Sequence, residues 1–292
     1  MQNVKKIAAL GPAGTYGHEA AEIARAELER RGISVSEVFF QPRNELIIDQ
    51  VLATDCYGII PIENATEGFV REVMKRWIAE SRISQRSAVY VIGEVHLPIH
   101  HNLLARQDIA VIEELASVMS HPQALGQCSK LLNDRELSLQ VPTTSTADAA
   151  RQVATNPALN KSAAVASRFA AEIYGLKVLR YNIEDSSDNM TRFHILGATP
   201  VGPTGHDRTA IVFHLPNKQG VLDNVIHSIS EEGVNMSSIH SIPLGSMNEY
   251  AFYIEIDCHM SSDKGRAIKK KIELHTINPL ILGSYPREKR EV

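Results

Sequence analysis

The sequence predicts an α/β protein followed by a smaller sandwich domain. Three observations lead there. Through residue 197, short apolar runs alternate with helical patterns, which implies helices packed on a mostly parallel sheet. Residues 197–207 then hold Pro200, Gly202, Pro203 and Gly205, a linker composition. Beyond the linker the order becomes β-α-β-β-α-β, the split βαβ arrangement. A length of 292 residues agrees with about two domains. Hydrophobic residues at 43% and charged residues at 22% supply enough apolar surface for packed cores.

Taken in order, residues 6–10 form a short apolar strand and Gly11-Pro12-Ala13-Gly14-Thr15 a turn. In the helix that follows, Ala20, Ile23, Ala24 and Leu28 share one face, and Gly32 is its stop. Residues 35–40 and 57–62 read as strands, with Pro61 marking the end of the second. Val70, Val73, Met74, Trp77 and Ile78 recur at helical spacing. Residues 89–95 form a strand, and 99–104 continue as a crossover. His121-Pro122 opens a helix carrying Ala124, Leu125, Cys128, Leu131 and Leu132, and residues 137–142 form the next strand. Ser145-Thr146-Ala147-Asp148 has the form of a capping box, with Asp in place of Glu, ahead of a helix bearing Ala150, Val153 and Ala154. A buried strand at 163–166, a helix at 167–174 ending at Gly175, and strands near 177–181 and 192–196 complete this part. In the second part, strands are expected at 209–215, 236–242, 250–257 and 281–285, with helices at 221–232 and 264–274.

Composition excludes several classes. A balance of 30 Lys and Arg against 34 Asp and Glu gives a net charge of −4, which argues against a general nucleic-acid surface. It leaves room for a local anion pocket. No segment approaches the roughly 20 apolar residues of a membrane helix. The apolar run at Ile7-Ala8-Ala9-Leu10 is too short for a secretory signal. Cys56, Cys128 and Cys258 have neither zinc nor redox spacing, so a reduced cytoplasmic setting is expected. His18, His96, His100, His101 and His121 form no metal pattern and read as structural or solvent-facing; no metal or cofactor is expected. The run Lys269-Lys270-Lys271 reads as the wet face of the last helix.

Four segments could carry chemistry. Gly11-Pro12-Ala13-Gly14-Thr15 lies between strand and helix, where an anion-binding helix start and a plain tight turn are both open readings. Glu63-Asn64-Ala65-Thr66-Glu67-Gly68 follows a buried strand, at the end where open α/β sheets gather ligands; a helix cap is equally served. Thr143-Thr144-Ser145-Thr146 supplies more hydroxyls than one cap requires, which favours a carboxylate ligand. Arg192 can clamp a carboxylate, with the Thr191 hydroxyl beside it, although the segment alone reads as a surface Arg on an ordinary strand. These residues fit an enzyme or a binding protein for a small anion.

The motifs together resemble the prephenate dehydratase family. They are Gly11-Pro12-Ala13-Gly14-Thr15-Tyr16 with Ala20-Ala21, and Pro61-Ile62-Glu63-Asn64 with Gly68. Next come His121-Pro122-Gln123-Ala124 with Gln127-Cys128, then Ser145-Thr146-Ala147-Asp148-Ala149-Ala150, and then Asn189-Met190-Thr191-Arg192-Phe193. Ile281-Leu282-Gly283-Ser284-Tyr285-Pro286 is similar to the family's end. The resemblance implies a two-lobed catalytic part like periplasmic binding proteins over 1–197, with hinges near 95–103 and 177–185. It also implies a linker at 198–208 and an ACT regulatory domain over 209–288. No chorismate mutase segment is seen ahead of Gly11, so the monofunctional form is expected.

The resemblance further implies loss of the ring hydroxyl and ring carboxylate of prephenate, giving phenylpyruvate on the route to phenylalanine. Thr191 is the implied catalytic donor to the leaving hydroxyl. Thr15, Asn64, Ser145, Thr146 and Arg192 are the implied substrate-binding residues, with Arg192 either holding a carboxylate or orienting the strand, while Phe193 packs. Gly220, Val221, Leu222, Asn235, His240, Ser241, Ile242 and Pro243 are the implied effector site, with phenylalanine as the effector and a homodimer or homotetramer as the assembly. Two departures stand out. Ala65 replaces a Ser or Thr, with Thr66 as the candidate substitute. His240-Ser241-Ile242-Pro243 stands where the family has Glu-Ser-Arg-Pro, removing two charges, and Gly220-Val221-Leu222 replaces Gly-Ala-Leu. Weak binding of phenylalanine, an effector other than phenylalanine, or a purely structural role as a dimer interface is therefore open. The alternatives for function are arogenate dehydratase and a catalytically impaired amino-acid sensor; Thr191-Arg192-Phe193 argues against a non-aromatising decarboxylase.

Overall fold

The computed structural model describes residues 5–81, 87–134, 137, 139–245 and 249–288. The first lobe contains β1 (Lys5–Leu10), α1 (Tyr16–Arg30), β2 (Val35–Gln41), α2 (Asn44–Thr54), β3 (Tyr57–Asn64), β4 (Gly68–Phe69), α3 (Arg71–Ser81) and β5 (Tyr90–Pro98). The second contains β6 (Asn102–Ala105), β7 (Ser117–Ser120), α4 (Pro122–Gln127), α5 (Ser129–Asp134), β8 (Gln140–Pro142), α6 (Thr146–Thr155), β9 (Ser162–Ala166), α7 (Arg168–Tyr174) and β10 (Lys177–Arg180). The chain re-enters the first sheet through β11 (Met190–Gly197). The C-terminal sandwich is β12 (Asp207–His214), α8 (Val221–Ser230), β13 (Met236–Pro243), β14 (Tyr250–Ile256), α9 (Asp263–His275) and β15 (Ile277–Pro286).

The lobe sheets run β2-β1-β3-β11-β5, with β4 on β3, and β10-β6-β9-β7-β8. They are mixed rather than mostly parallel. β1 pairs parallel with β2 and β3, but β11 lies antiparallel between β3 and β5. In the second lobe β6 is antiparallel to both of its neighbours. The cause is that the returning strands cross between lobes instead of closing a βαβ unit. The third sheet is antiparallel, in the order β13-β14-β12-β15.

Other differences have local causes. Helix α2, given no element in the sequence reading, buries Ile47, Ile48 and Val51. Strand β7 is buried throughout, and its four residues are too few to display a period. The helix expected from His121-Pro122 is two short helices. The second of them receives Asp185, whose carboxylate accepts from Ser129 Oγ at 2.7 Å and Lys130 N at 3.1 Å. The Asp148 half of the capping box is absent, because that carboxylate accepts instead from Thr144, Arg151 and Gln152. Among the described residues no helix is long and apolar enough to cross a membrane.

β11 organises the interior. Its alternation sends Phe193 and Ile195 into a core beneath α1 with Ala20, Ala24 and Leu28. Leu196 goes the other way, into a core shared by α2, α3 and the sandwich residues Val212, Tyr253, Leu280 and Tyr285. The sandwich is thus packed on the back of the first sheet.

Candidate active site

A cleft of about 340 Å³ lies between the lobes at the carboxyl ends of β1, β3, β7 and β8, the edge where such sheets present ligand sites. Because β11 runs antiparallel, its beginning reaches the same edge. Five of the six residues expected to act on substrate line this cleft together: Thr15, Asn64, Ser145, Thr146 and Thr191.

Thr191 and Asn64 are register partners. Asn64 Nδ2 donates to Thr191 Oγ1 at 2.8 Å and to Asn189 Oδ1 at 2.8 Å. An amide N–H cannot accept, so the Thr191 hydroxyl is left to point its proton elsewhere. Thr191 is only 8% exposed, and its accessible side is the cleft. Asn64 is itself fixed: its Oδ1 accepts from Thr66 N, Thr66 Oγ1 and Glu67 N. Thr66 thus binds in the loop where Ala65 cannot. Its hydroxyl also lies 3.3 Å from Gln127 Nε2, an arm of the second lobe.

Two helix starts face the cleft. Ser145 caps α6, accepting from Asp148 N at 3.0 Å, so its own proton remains to be given. The first-turn N–H groups of α6, beginning with Thr146, have no partner within their helix. Thr15 caps α1 in the same way, but its hydroxyl donates to Leu10 O at 2.8 Å, so the donors at that end are main-chain groups. The preceding turn serves lobe contact. Gly14 has φ +82, and an added Cβ would sit 3.3 Å from Ala170 Cα. Tyr174 donates to Ala13 O at 2.7 Å across the lobes.

Arg192 does not belong to this set. On a strand it points opposite to Thr191, and its guanidinium is buried behind the sheet. There it meets Glu63 at 3.2 Å, Glu94 at 3.4 Å and Glu255 at 2.8 Å. The expectation that it clamps the substrate is corrected accordingly. The cleft lining, among the described residues, contains neither Lys nor Arg, so a dianion there would be met by hydroxyls, amides, imidazoles and helix starts. Among the described residues no group of three or more His, Cys, Asp or Glu side chains is placed to hold a metal ion.

Several lining residues were missed. Tyr16 Oη lies 2.7 Å from His100 O and 2.9 Å from His101 Nδ1, and His101 Nε2 is 2.9 Å from Gln127 Oε1. Burial raises the Tyr16 phenol well above its ordinary value and lowers the His101 imidazole. Burial also pushes the nearby Cys128 thiol up to about 12, leaving it inert. His121, read as structural or solvent-facing, lines the cleft and caps α4. Placement of Tyr16, His121 and Gln127 inside recognisable motifs was the available signal.

The expected effector residues are dispersed within one chain. Asn235 lines a groove with Glu94, Arg208 and Glu288, and donates to Asp257 at 2.9 Å. His240 stacks on Phe69 of the first lobe, ring centroids 4.0 Å apart. Ile242 is 3% exposed, in the shared core, and so is withdrawn from any ligand. Gly220 caps α8 in a left-handed conformation ahead of Val221 and Leu222. Ser241 and Pro243 are exposed on β13, an edge strand.

A family model described as prephenate dehydratase matches residues 7–201. A bifunctional chorismate mutase/prephenate dehydratase of Pseudomonas aeruginosa is 32% identical over 97% of this chain and 73% of its own length. An arogenate dehydratase/prephenate dehydratase of Arabidopsis thaliana is 32% identical over 96% of this chain and 72% of its own. The crystal structure of a prephenate dehydratase from Arthrobacter aurescens in complex with L-Phe superposes with a TM-score of 0.81 at 25% identity, covering 97% of this chain and 90% of that one.

Proposed function

The chain belongs to the prephenate dehydratase family, and from that premise we propose that the cleft converts prephenate to phenylpyruvate, water and CO₂. The observation that carries this reading is the Asn64–Thr191 pair, which leaves one directed O–H at a largely uncharged cleft. In the reaction the ring C–OH bond breaks and the oxygen departs as water, with one proton taken from solvent. The ring carboxylate leaves as CO₂, and its bonding pair completes the aromatic ring. Aromatisation drives the step, so positioning and stabilisation of the departing oxygen are what the protein adds.

Thr191 supplies that stabilisation as a hydrogen bond, since a threonine is too weak an acid to give its proton up fully. Asn64 holds the hydroxyl in line. Ser145 Oγ–H and the N–H groups at the start of α6, including that of Thr146, bind a carboxylate. The N–H groups that follow Thr15 at the start of α1 bind the other. No Lys or Arg is among the described residues that line the cleft, so the ring carboxylate is held by neutral donors and meets no full counter-charge, which favours its loss as neutral CO₂.

The test is direct. Purified protein incubated with prephenate should form phenylpyruvate; no product from folded protein overturns the reading. A parallel incubation with arogenate covers the second reading, favoured by the name of the Arabidopsis relative; phenylalanine formed in place of phenylpyruvate would establish it. The sandwich is the proposed seat of amino-acid regulation, as the L-Phe bound by the Arthrobacter relative supports. Exposed Ile226, Ile239, Leu274 and Ile277 on that sandwich support a homodimer or homotetramer. Three free cysteines support a cytoplasmic location.

A further inference from the structure

We propose that Arg192 is a positioning residue: through Glu255 on β14 it makes the geometry of the Thr191–Asn64 pair depend on the C-terminal sheet. This rests on the reading of Thr191 as the donor to substrate. The argument begins with register. Thr191 opposes Asn64, and Arg192 opposes Glu63, on adjacent rungs of the β11–β3 ladder. The two catalytic side chains therefore project into the cleft, while the ion pair formed by their chain neighbours lies directly behind. Immediately beyond, the register slips between Arg192 and Phe193, with Ile62 as the extra residue of β3. A bulge disrupts the ladder locally, and here the rungs are held by the Ala65 N to Met190 O bond at 2.8 Å, by Asn64 on the cleft side, and by the Arg192–Glu63 bond at 3.2 Å from behind.

The same guanidinium is shared with the sandwich. Glu255 Oε1 accepts from Arg192 Nη1 at 2.8 Å, Tyr253 Oη at 2.5 Å and Tyr285 Oη at 3.1 Å, and lies 3.3 Å from His194 Nε2. Arg208 of β12 approaches Glu94 at 3.0 Å and Glu255 at 3.7 Å. Both Glu94 and Glu255 side chains are 1% exposed. Arg192 is thus held between carboxylates of two bodies. A displacement of β14 that withdraws Glu255 leaves the guanidinium shared between Glu63 of β3 and Glu94 of β5, the two strands that flank Thr191. Phe69, which pairs with Glu63 on β4, is stacked on His240 of β13, so the same rung is touched by the sandwich a second time.

The experiment uses the full chain with Glu255→Gln, Arg192→Lys and the double variant. Each single change should lower kcat for prephenate by about three- to thirtyfold with KM within about twofold. The double variant should lose no more than the larger single loss, because both act through one contact. Glu255→Asp, which keeps the charge, should recover kcat relative to Glu255→Gln. Backbone amide exchange supplies a reading independent of activity: Glu255→Gln should quicken exchange at residues 190–193, on a strand it does not alter. Unchanged kcat in Glu255→Gln overturns the proposal, as do losses that add in the double variant. If the unaltered protein fails to turn over prephenate, the functional reading falls, and exchange alone decides. Acceleration confined to residues 250–256 then overturns the proposal, and acceleration reaching 190–193 upholds it. Should Arg192→Lys fail to fold, the two Glu255 variants still decide it.

Discussion

Thr191 shows how one hydroxyl becomes useful. Its lone pair is engaged by Asn64, so its single proton is available on the cleft side and costs no reorganisation when charge develops on the leaving oxygen. Thr191→Val keeps the shape and removes the donor. We expect kcat to fall by about 10²–10³, with KM within about threefold because ground-state binding lies with the helix starts. Steady-state kinetics on protein shown folded by circular dichroism check this; a KM rise with kcat intact would move Thr191 from catalysis to binding. At this scale the sequence was partly legible. Asn64, Ser145 and Thr146 stand at strand ends whose residue types suit an anion, and they line the cleft; Thr191 lines it too, but was singled out only through the family resemblance. Arg192 was misplaced although the signal was present: consecutive residues on a strand face opposite ways, so Thr191 and Arg192 cannot both enter one cleft. Tyr16, His101 and Gln127 escaped because their meeting depends on the closeness of the two lobes, which no local pattern encodes.

At the scale of elements, α1 and α7 face each other across the lobes and carry an unpaid electrostatic cost. Burial, together with Glu172 on α7, raises the Glu19 carboxyl to about 7, against a pull from His100. The sign follows from linkage. Between about pH 4.5 and 7 the folded chain holds the Glu19 proton while the unfolded chain releases it, so stability from this group falls as pH rises through that window. Glu19→Gln removes the dependence. Its melting temperature should match the wild type below about pH 4.5 and exceed it by about 2–4 °C at pH 8. Thermal melts at both pH values test this; an equal difference at both would show that Glu19 does not titrate in this window. The elements themselves were mostly legible, because capping and periodicity are local: Ser145, Ser167 and Gly175 mark helix ends as their chemistry requires. The split at Cys128 was not, since Asp185, which receives α5, arrives from 55 residues away. Nor was the mixed sheet direction, which is set by where β11 returns.

The whole molecule is tied together by the core that α2, α3 and the sandwich share. At Gly283 the two bodies approach main chain on main chain: a Cβ added at Gly283 of β15 would lie 2.2 Å from Val91 O of β5. No rotamer can relieve such an overlap, so Gly283→Ala must separate the strands, thinning the contact around Leu282 and Tyr285. Overpacking of this kind costs about 1–3 kcal/mol. Trp77 is the chain's one tryptophan and sits in this same core, so its fluorescence reports the junction in a urea titration. We expect Gly283→Ala to lower the unfolding midpoint. Gly126→Ala, with nothing within 4 Å of its added Cβ, should leave the midpoint unchanged or slightly raised. Because the core spans both bodies, the wild type should unfold around Trp77 in one transition. A second, earlier transition appearing only in Gly283→Ala would mean that the sandwich detaches before the lobe melts. An unaltered midpoint would mean that the two sheets are not in backbone contact at Gly283, and the route from Glu255 to Arg192 would then lack the rigid junction it requires.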